Sequence, residues 1–174
     1  MALSKHGFEV RMEDLDVDEP QADTLDYVSR RSVLSAFELL KAPLFVEDAG
    51  LFIHSLRGFP GVYSSYVFST IGIDGVLKLM EGERDRRAEF RSVVAFTSQA
   101  IHPDVLLFEG RVEGEIASSP KGSGGFGFDP IFMPKGSALT YAQVGLDEKN
   151  RNSHRARALH SMGSYLSSHL GLVK

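Results

Sequence analysis

An α/β fold is what this sequence predicts, and three stretches carry the expectation. Apolar residues recur at helical steps between Thr24 and Leu40, and Ser153–Leu170 returns to the same period. Between them Arg87–Thr97 and Val105–Ile116 alternate apolar with polar, as strands do. The 174 residues contain no internal repeat and no Ser- or Gly-rich linker, so residues 1–174 read as a single domain, or as two closely packed lobes.

Phe8 and Val10 alternate within Gly7–Val10 and predict a short strand, and the acidic stretch Glu13–Glu19, ending at Pro20, predicts a loop. A helix follows, with Asp23 or Thr24 as its cap and Leu25, Val28, Ser32, Ala36, Leu39 and Leu40 on its inner face until Pro43 ends the pattern. Leu44-Phe45-Val46 is then a short buried strand that delivers Glu47 and Asp48 at its end. Leu51–His54 leads into a turn punctuated by Gly58, Pro60 and Gly61, and a helix is expected around Asp74–Met80. The two long strands, joined through His102-Pro103-Asp104, are expected to be antiparallel neighbours. Lys121–Phe128 is a Gly-rich loop and Ile131–Met133 a short strand. The last helix places Ala156, Leu159, Gly163, Leu166 and Leu170 on one side.

Composition excludes several classes. A formal net charge of -4 argues against a nucleic-acid polymer as partner, because such proteins carry a basic surface. Without cysteine there is no disulfide, no thiolate nucleophile and no zinc–thiolate site. No apolar run nears the roughly 20 residues of a membrane helix, and the first residues lack a secretory pattern. The expected setting is the cytoplasm, with no membrane partner.

Three constellations could carry chemistry. Glu47-Asp48, with Asp14, Asp16, Asp18 and Glu19 upstream, offers hard oxygen ligands suited to Mg²⁺. Adjacent strand residues point to opposite faces, so both carboxylates can serve one ion only if the strand ends there. The bland alternative is that Asp48 caps a turn and Glu19 is merely solvated. Gly124-Gly125-Phe126-Gly127-Phe128-Asp129-Pro130 combines backbone that a ligand can approach closely with aromatic faces able to stack on a purine. It could equally be a hairpin with two core phenylalanines, and no Gly-Lys-Ser/Thr follows to make it a P-loop. Lys149-Asn150-Arg151-Asn152-Ser153-His154-Arg155 places cations beside a helix start, where donors can meet phosphate or a base carbonyl. The bland alternative there, compatible with the first, is that Ser153 is a plain helix cap.

In order, Val46–Leu51, Gly58–Tyr66, Gly125–Phe132, Thr140-Tyr141-Ala142 and Glu148–Arg155 resemble the signature run of the inosine-triphosphate/xanthosine-triphosphate pyrophosphatase family, over about Gly7 to Leu170. The resemblance implies an elongated mixed β-sheet with two α/β lobes flanking a nucleotide-binding cleft, usually in a homodimer. It implies Mg²⁺-dependent hydrolysis of ITP, dITP and XTP to the monophosphate and pyrophosphate, a house-cleaning reaction that keeps deaminated purines out of DNA and RNA. Position by position, Asp48 matches the proton acceptor and a metal ligand, Glu19 matches the second metal carboxylate, and Glu47 lies beside them. Phe126, Gly127, Phe128 and Asp129 match the segment that holds base and ribose. Lys149, Ser153, His154 and Arg155 match the base-recognition set. Arg31 falls near a phosphate-contacting lysine, and Ala49 stands where many members carry a hydroxyl that contacts substrate. Family members open with a strand and a Thr/Ser-x-Asn-x-x-Lys phosphate loop, and this sequence is expected to begin after it, with nothing in the resemblance assigning that lysine's role to Lys5. Two alternatives follow. One is a nucleotide-binding dimer that lacks the phosphate loop and turns over weakly or not at all. The other is a maf-like nucleotide pyrophosphatase, which explains Ser153-His154-Arg155 less well.

Overall fold

A computed structural model describes residues 3–17 and 20–169. Its helices are α1 (Leu25–Leu40), α2 (Ser64–Thr70), α3 (Gly72–Leu79), α4 (Leu146–Asn152) and α5 (His154–His169). Its strands, β1 (Leu44–Ile53), β2 (Arg87–Thr97), β3 (Leu106–Ile116) and β4 (Phe132–Pro134), form one sheet in the order β1-β2-β3-β4. β4 runs antiparallel to β3, with Gly114 opposite Pro134 and Ile116 opposite Phe132. The mixed α/β class is the one expected.

Local chemistry explains the boundaries. Thr24 holds extended backbone angles and its hydroxyl accepts from the Tyr27 N–H at 3.3 Å, satisfying one orphan donor at the start of α1. The helix closes where Lys41 turns left-handed, φ 50°, and its N–H reaches the Phe37 carbonyl at 2.8 Å. α1 buries Leu25, Ser29, Ser32, Val33, Ala36 and Phe37. Leu39, expected on the inner face, is 61% exposed because the stripe is centred on Val33 and Phe37 instead.

Other expectations shift more. Gly7–Val10 is not a strand: after a 3-10 turn over Leu3–His6, Phe8 packs beside the cluster that buries Leu3, and its N–H bonds to the Leu3 carbonyl at 3.3 Å rather than to a ladder. β1 is ten residues long, not three, because Leu51 and Ile53 find a core to enter beyond the carboxylates. Glu47 and Asp48 are therefore mid-strand residues. The last helix starts where expected, running as α5 from His154 directly after Ser153, and an additional short helix, α4, precedes it and ends at Ser153, whose backbone is extended at φ -67° and ψ 161°.

The chain divides into two compact units, Met1–Asp48 with Ser92–Gly110 and His154–Lys174, and Ala49–Arg91 with Arg111–Ser153. In the first, strand alternation sorts side chains onto two faces. Phe45, Val94, Phe96, Leu106 and Phe108 gather with Ala158, Met162 and Leu166 of α5, while Leu44, Val46, Ala95, Val105 and Leu107 gather with Val33 of α1. Gly110 belongs to this packing, since a Cβ there would run into the His154 carbonyl and the Ala158 nitrogen. The second unit centres on Phe132, fully buried, with Phe90 at 4.6 Å and Tyr141 at 5.2 Å between ring centroids. Burying one such ring stabilises by about 1.5–3 kcal/mol.

Candidate active site

The acidic group of the first unit follows from strand alternation. Glu47 shares the face of Phe45 and so looks toward α5; Asp48 shares the face of Val46 and looks toward α1. The hydrogen bonds agree. Glu47 Oε1 accepts from the buried Ser92 hydroxyl at 2.6 Å, and Oε2 accepts from Arg155 Nε at 2.8 Å. Asp48 Oδ2 accepts from the Ser29 hydroxyl of α1 at 2.7 Å. The two adjacent carboxylates therefore reach partners on opposite faces, Glu47 the Ser92 hydroxyl and Arg155, and Asp48 the Ser29 hydroxyl. Glu19 lies outside the described residues, as does Asp18.

In the second unit the Gly-rich loop is anchored from below by Thr140-Tyr141-Ala142. The Gly124 N–H donates to the Ala142 carbonyl at 3.1 Å, the Ala142 N–H to the Asp129 carbonyl at 3.2 Å, and the buried Thr140 hydroxyl to the Lys121 carbonyl at 2.7 Å. Asp129, 2% exposed, receives the Phe126 N–H at 2.8 Å and an ion pair from Lys149 Nζ. Gly125 makes this possible: its φ of 73° is left-handed, and a Cβ would strike the Asp129 carboxylate.

The two phenylalanines separate cleanly. Phe128 is 3% exposed and meets Phe68 edge-to-face at 5.4 Å, a core contact. Phe126 is 62% exposed, and Lys149 Nζ stands 4.3 Å from its ring centroid. Gly127, at φ 58°, turns the chain between them. Lys149 is also 5.4 Å from the Tyr141 centroid. The result is an exposed aromatic face beside a buried ammonium, which suits a planar ligand carrying a hydrogen-bond acceptor.

Ala49 is half-buried in β1, next to Asp48. Ser153 and His154 are buried, at 6% and 5% exposure, and the Ser153 N–H donates to the Lys149 carbonyl at 2.8 Å. Lys149 and Arg155, expected as one base-reading set, bond to different carboxylates, Asp129 and Glu47. Ser29, Ser92 and Tyr141 were not marked by the sequence for these contacts. The available signal, a small polar residue inside the apolar stripe of α1, is shared by Ser29 and Ser32 and does not single out Ser29.

A dITP/XTP pyrophosphatase from Thermococcus kodakarensis is 47% identical over 164 residues, 94% of this chain and 87% of the relative. One from Methanopyrus kandleri is 45% identical, over 97% of this chain and 88% of the relative. Among solved structures, the Ham1 protein of Staphylococcus aureus superposes with a TM-score of 0.82 at 30% identity, covering 89% of this chain and 82% of that one. A HAM1 protein from Coxiella burnetii gives a TM-score of 0.82 at 33% identity, covering 88% and 81%. The family model described as the Ham1 family matches residues 2–165, and with relatives this similar over nearly the whole length, the chain belongs to the Ham1 family.

Proposed function

We propose that this chain hydrolyses deaminated purine nucleoside triphosphates, ITP, dITP and XTP, between the α and β phosphates to give the monophosphate and pyrophosphate. The relatives named dITP/XTP pyrophosphatases support the reaction. The observation that carries the substrate class is Phe126, an aromatic ring left 62% exposed in a Gly-rich loop with the Lys149 ammonium 4.3 Å from its centroid. A purine stacks on such a ring. An ammonium has three N–H groups and Asp129 takes one, so Lys149 can also donate to a 6-keto oxygen. Adenine presents an amino group at that position, which leaves a buried donor unmatched and disfavours ATP. Ser153, whose N–H donates to the Lys149 carbonyl, supports the same pocket from the adjoining backbone.

Asp48 is assigned the proton-accepting role: it orients the attacking water and takes its proton. Glu47, tied to Ser92 and Arg155, is assigned to holding the start of α5 against β1. Among the described residues no three His, Asp or Glu side chains gather as a metal cage. Mg²⁺ does not require one, since it takes one or two carboxylates and completes its shell with water and substrate phosphate, and a strand carboxylate such as Asp48 fits that habit. Bound by Asp48 and Glu19, Mg²⁺ would neutralise the triphosphate and polarise the phosphorus. No helix among the described residues is long and apolar enough to cross a membrane, and the proposed setting is the cytoplasm. A homodimer is the proposed assembly, to be checked by sedimentation.

The test is pyrophosphate release from ITP, dITP, XTP and ATP across a Mg²⁺ titration. Deaminated nucleotides should be favoured by about a hundredfold, the scale set by one unmatched buried donor. EDTA and Asp48→Asn should each abolish turnover, an amide being neither a base nor a good Mg²⁺ ligand. Tight ITP binding without pyrophosphate release would leave the chain a nucleotide-binding protein. Equal turnover of ATP would remove the base-pocket assignment.

A further inference from the structure

We propose that Ser29 is a positioning residue for Asp48, fixing the plane of the carboxylate through a hydrogen bond from α1. The inference rests on the proton-accepting role assigned to Asp48 above. Ser29 is fully buried on the face of α1 that it shares with Leu25, Ser32, Val33, Ala36 and Phe37. A hydroxyl in such a stripe is unfavourable unless it has a buried acceptor. It has two: Asp48 Oδ2 at 2.7 Å and the Val93 carbonyl at 3.3 Å. One hydroxyl hydrogen goes preferentially to the nearer, charged oxygen.

The geometry makes this an orienting contact and not a packing one. Asp48 reaches out from a strand on two rotatable bonds, and the strand alone does not choose its carboxylate plane. Ser29 sits on a helix locked by its apolar neighbours, so its donor is a fixed point against which Oδ2 is held. Glu47 is held on the other face by the equivalent device, a buried Ser92 at 2.6 Å. Ser32 provides an internal control. It lies one turn further along the same buried face, is 4% exposed, and its hydroxyl has no hydrogen-bond partner among the described residues. Removing it takes away a hydroxyl without touching Asp48.

The experiment measures kcat and KM for ITP, melting temperature, and Mn²⁺ affinity by electron paramagnetic resonance without nucleotide. Wild type, Asp48→Asn, Ser29→Ala, Ser29→Cys and Ser32→Ala are compared. Ser29→Ala should lower kcat about tenfold and weaken Mn²⁺ binding by a similar factor, the range seen when a ligand's outer partner is lost. KM for ITP should stay within about twofold, because the contact orients chemistry and not substrate. Ser29→Cys fills the space but donates weakly, so it should resemble Ser29→Ala. Ser32→Ala should match wild type in kcat and melt no lower. Wild-type kcat and Mn²⁺ affinity in Ser29→Ala, or an equal loss in Ser32→Ala, would overturn the inference while leaving the assigned reaction standing. Turnover by Asp48→Asn would instead remove Asp48 from the chemistry, and the role of Ser29 with it.

Discussion

Lys149 and Phe126 illustrate how two neighbouring residues in one pocket differ in what they hold up. Lys149 and Asp129 form a buried pair whose side chains are 7% and 3% exposed. Lys149→Met leaves the Asp129 charge buried with the Phe126 N–H as its donor among the described residues, and a broken buried pair destabilises by about 3–5 kcal/mol. Phe126→Leu removes an exposed ring and should change stability by no more than about 0.5 kcal/mol. It should nonetheless raise KM for ITP about tenfold, since one stacked base contributes about 1–3 kcal/mol. Urea melts and steady-state kinetics on the two variants check this crossing of effects; a large stability loss in Phe126→Leu would put that ring in the core after all. The sequence marked the loop as a candidate but could not divide Phe126 from Phe128, because the division depends on Gly127 turning at φ 58° and on Phe68 being present to receive one ring. Nor could it show Ser29 against Asp48 or Ser92 against Glu47. Those partners are 19 and 45 positions apart and meet only when helix and strands are assembled.

At the scale of elements, β2, β3 and α1 were legible because long periodic segments with clear stops leave little choice of period. β1 was shortened because Glu47-Asp48 reads as the end of an apolar run; polar residues in a strand are tolerated when each face supplies partners, as Ser92, Arg155 and Ser29 do here. The shortest strand, β4, depends on its pairing with β3. One ion pair spans that pairing, Lys135 Nζ to Glu113 Oε2 at 2.8 Å, both side chains exposed. The hydrogen bond from Lys135, reinforced by its charge, holds the Glu113 carboxyl below its ordinary value. A lowered carboxylate pKa stabilises the folded state above the ordinary value, and that contribution is lost as pH falls through the lowered one. Lys135→Ala should therefore return Glu113 toward its ordinary titration, read by carboxyl NMR. The stability difference between variant and wild type should be present near neutral pH and vanish in acid. An unchanged Glu113 titration would show that the pair does not persist in solution.

For the whole molecule, the question is whether two units with separate cores unfold as one. β1, β2 and β3 each leave one unit and enter the other, at Asp48–Ala49, Arg91–Ser92 and Gly110–Arg111. Melting either unit would cut three continuous strands in mid-ladder and leave their backbone donors and acceptors to water, which favours all-or-none behaviour. Two core variants test this. Phe132→Ala empties the centre of the second core and should cost about 3–5 kcal/mol, and Met162→Ala, in the first, about 2–5 kcal/mol. In a chain of this length each kcal/mol lowers the melting temperature by about 2–4 °C. Calorimetry should show a single transition that moves down in both variants, with the calorimetric and van't Hoff enthalpies equal. If the heat capacity trace instead splits, with Phe132→Ala lowering one peak and Met162→Ala the other, the shared strands do not couple the units. The acidic group and the aromatic platform would then lie on bodies that unfold separately.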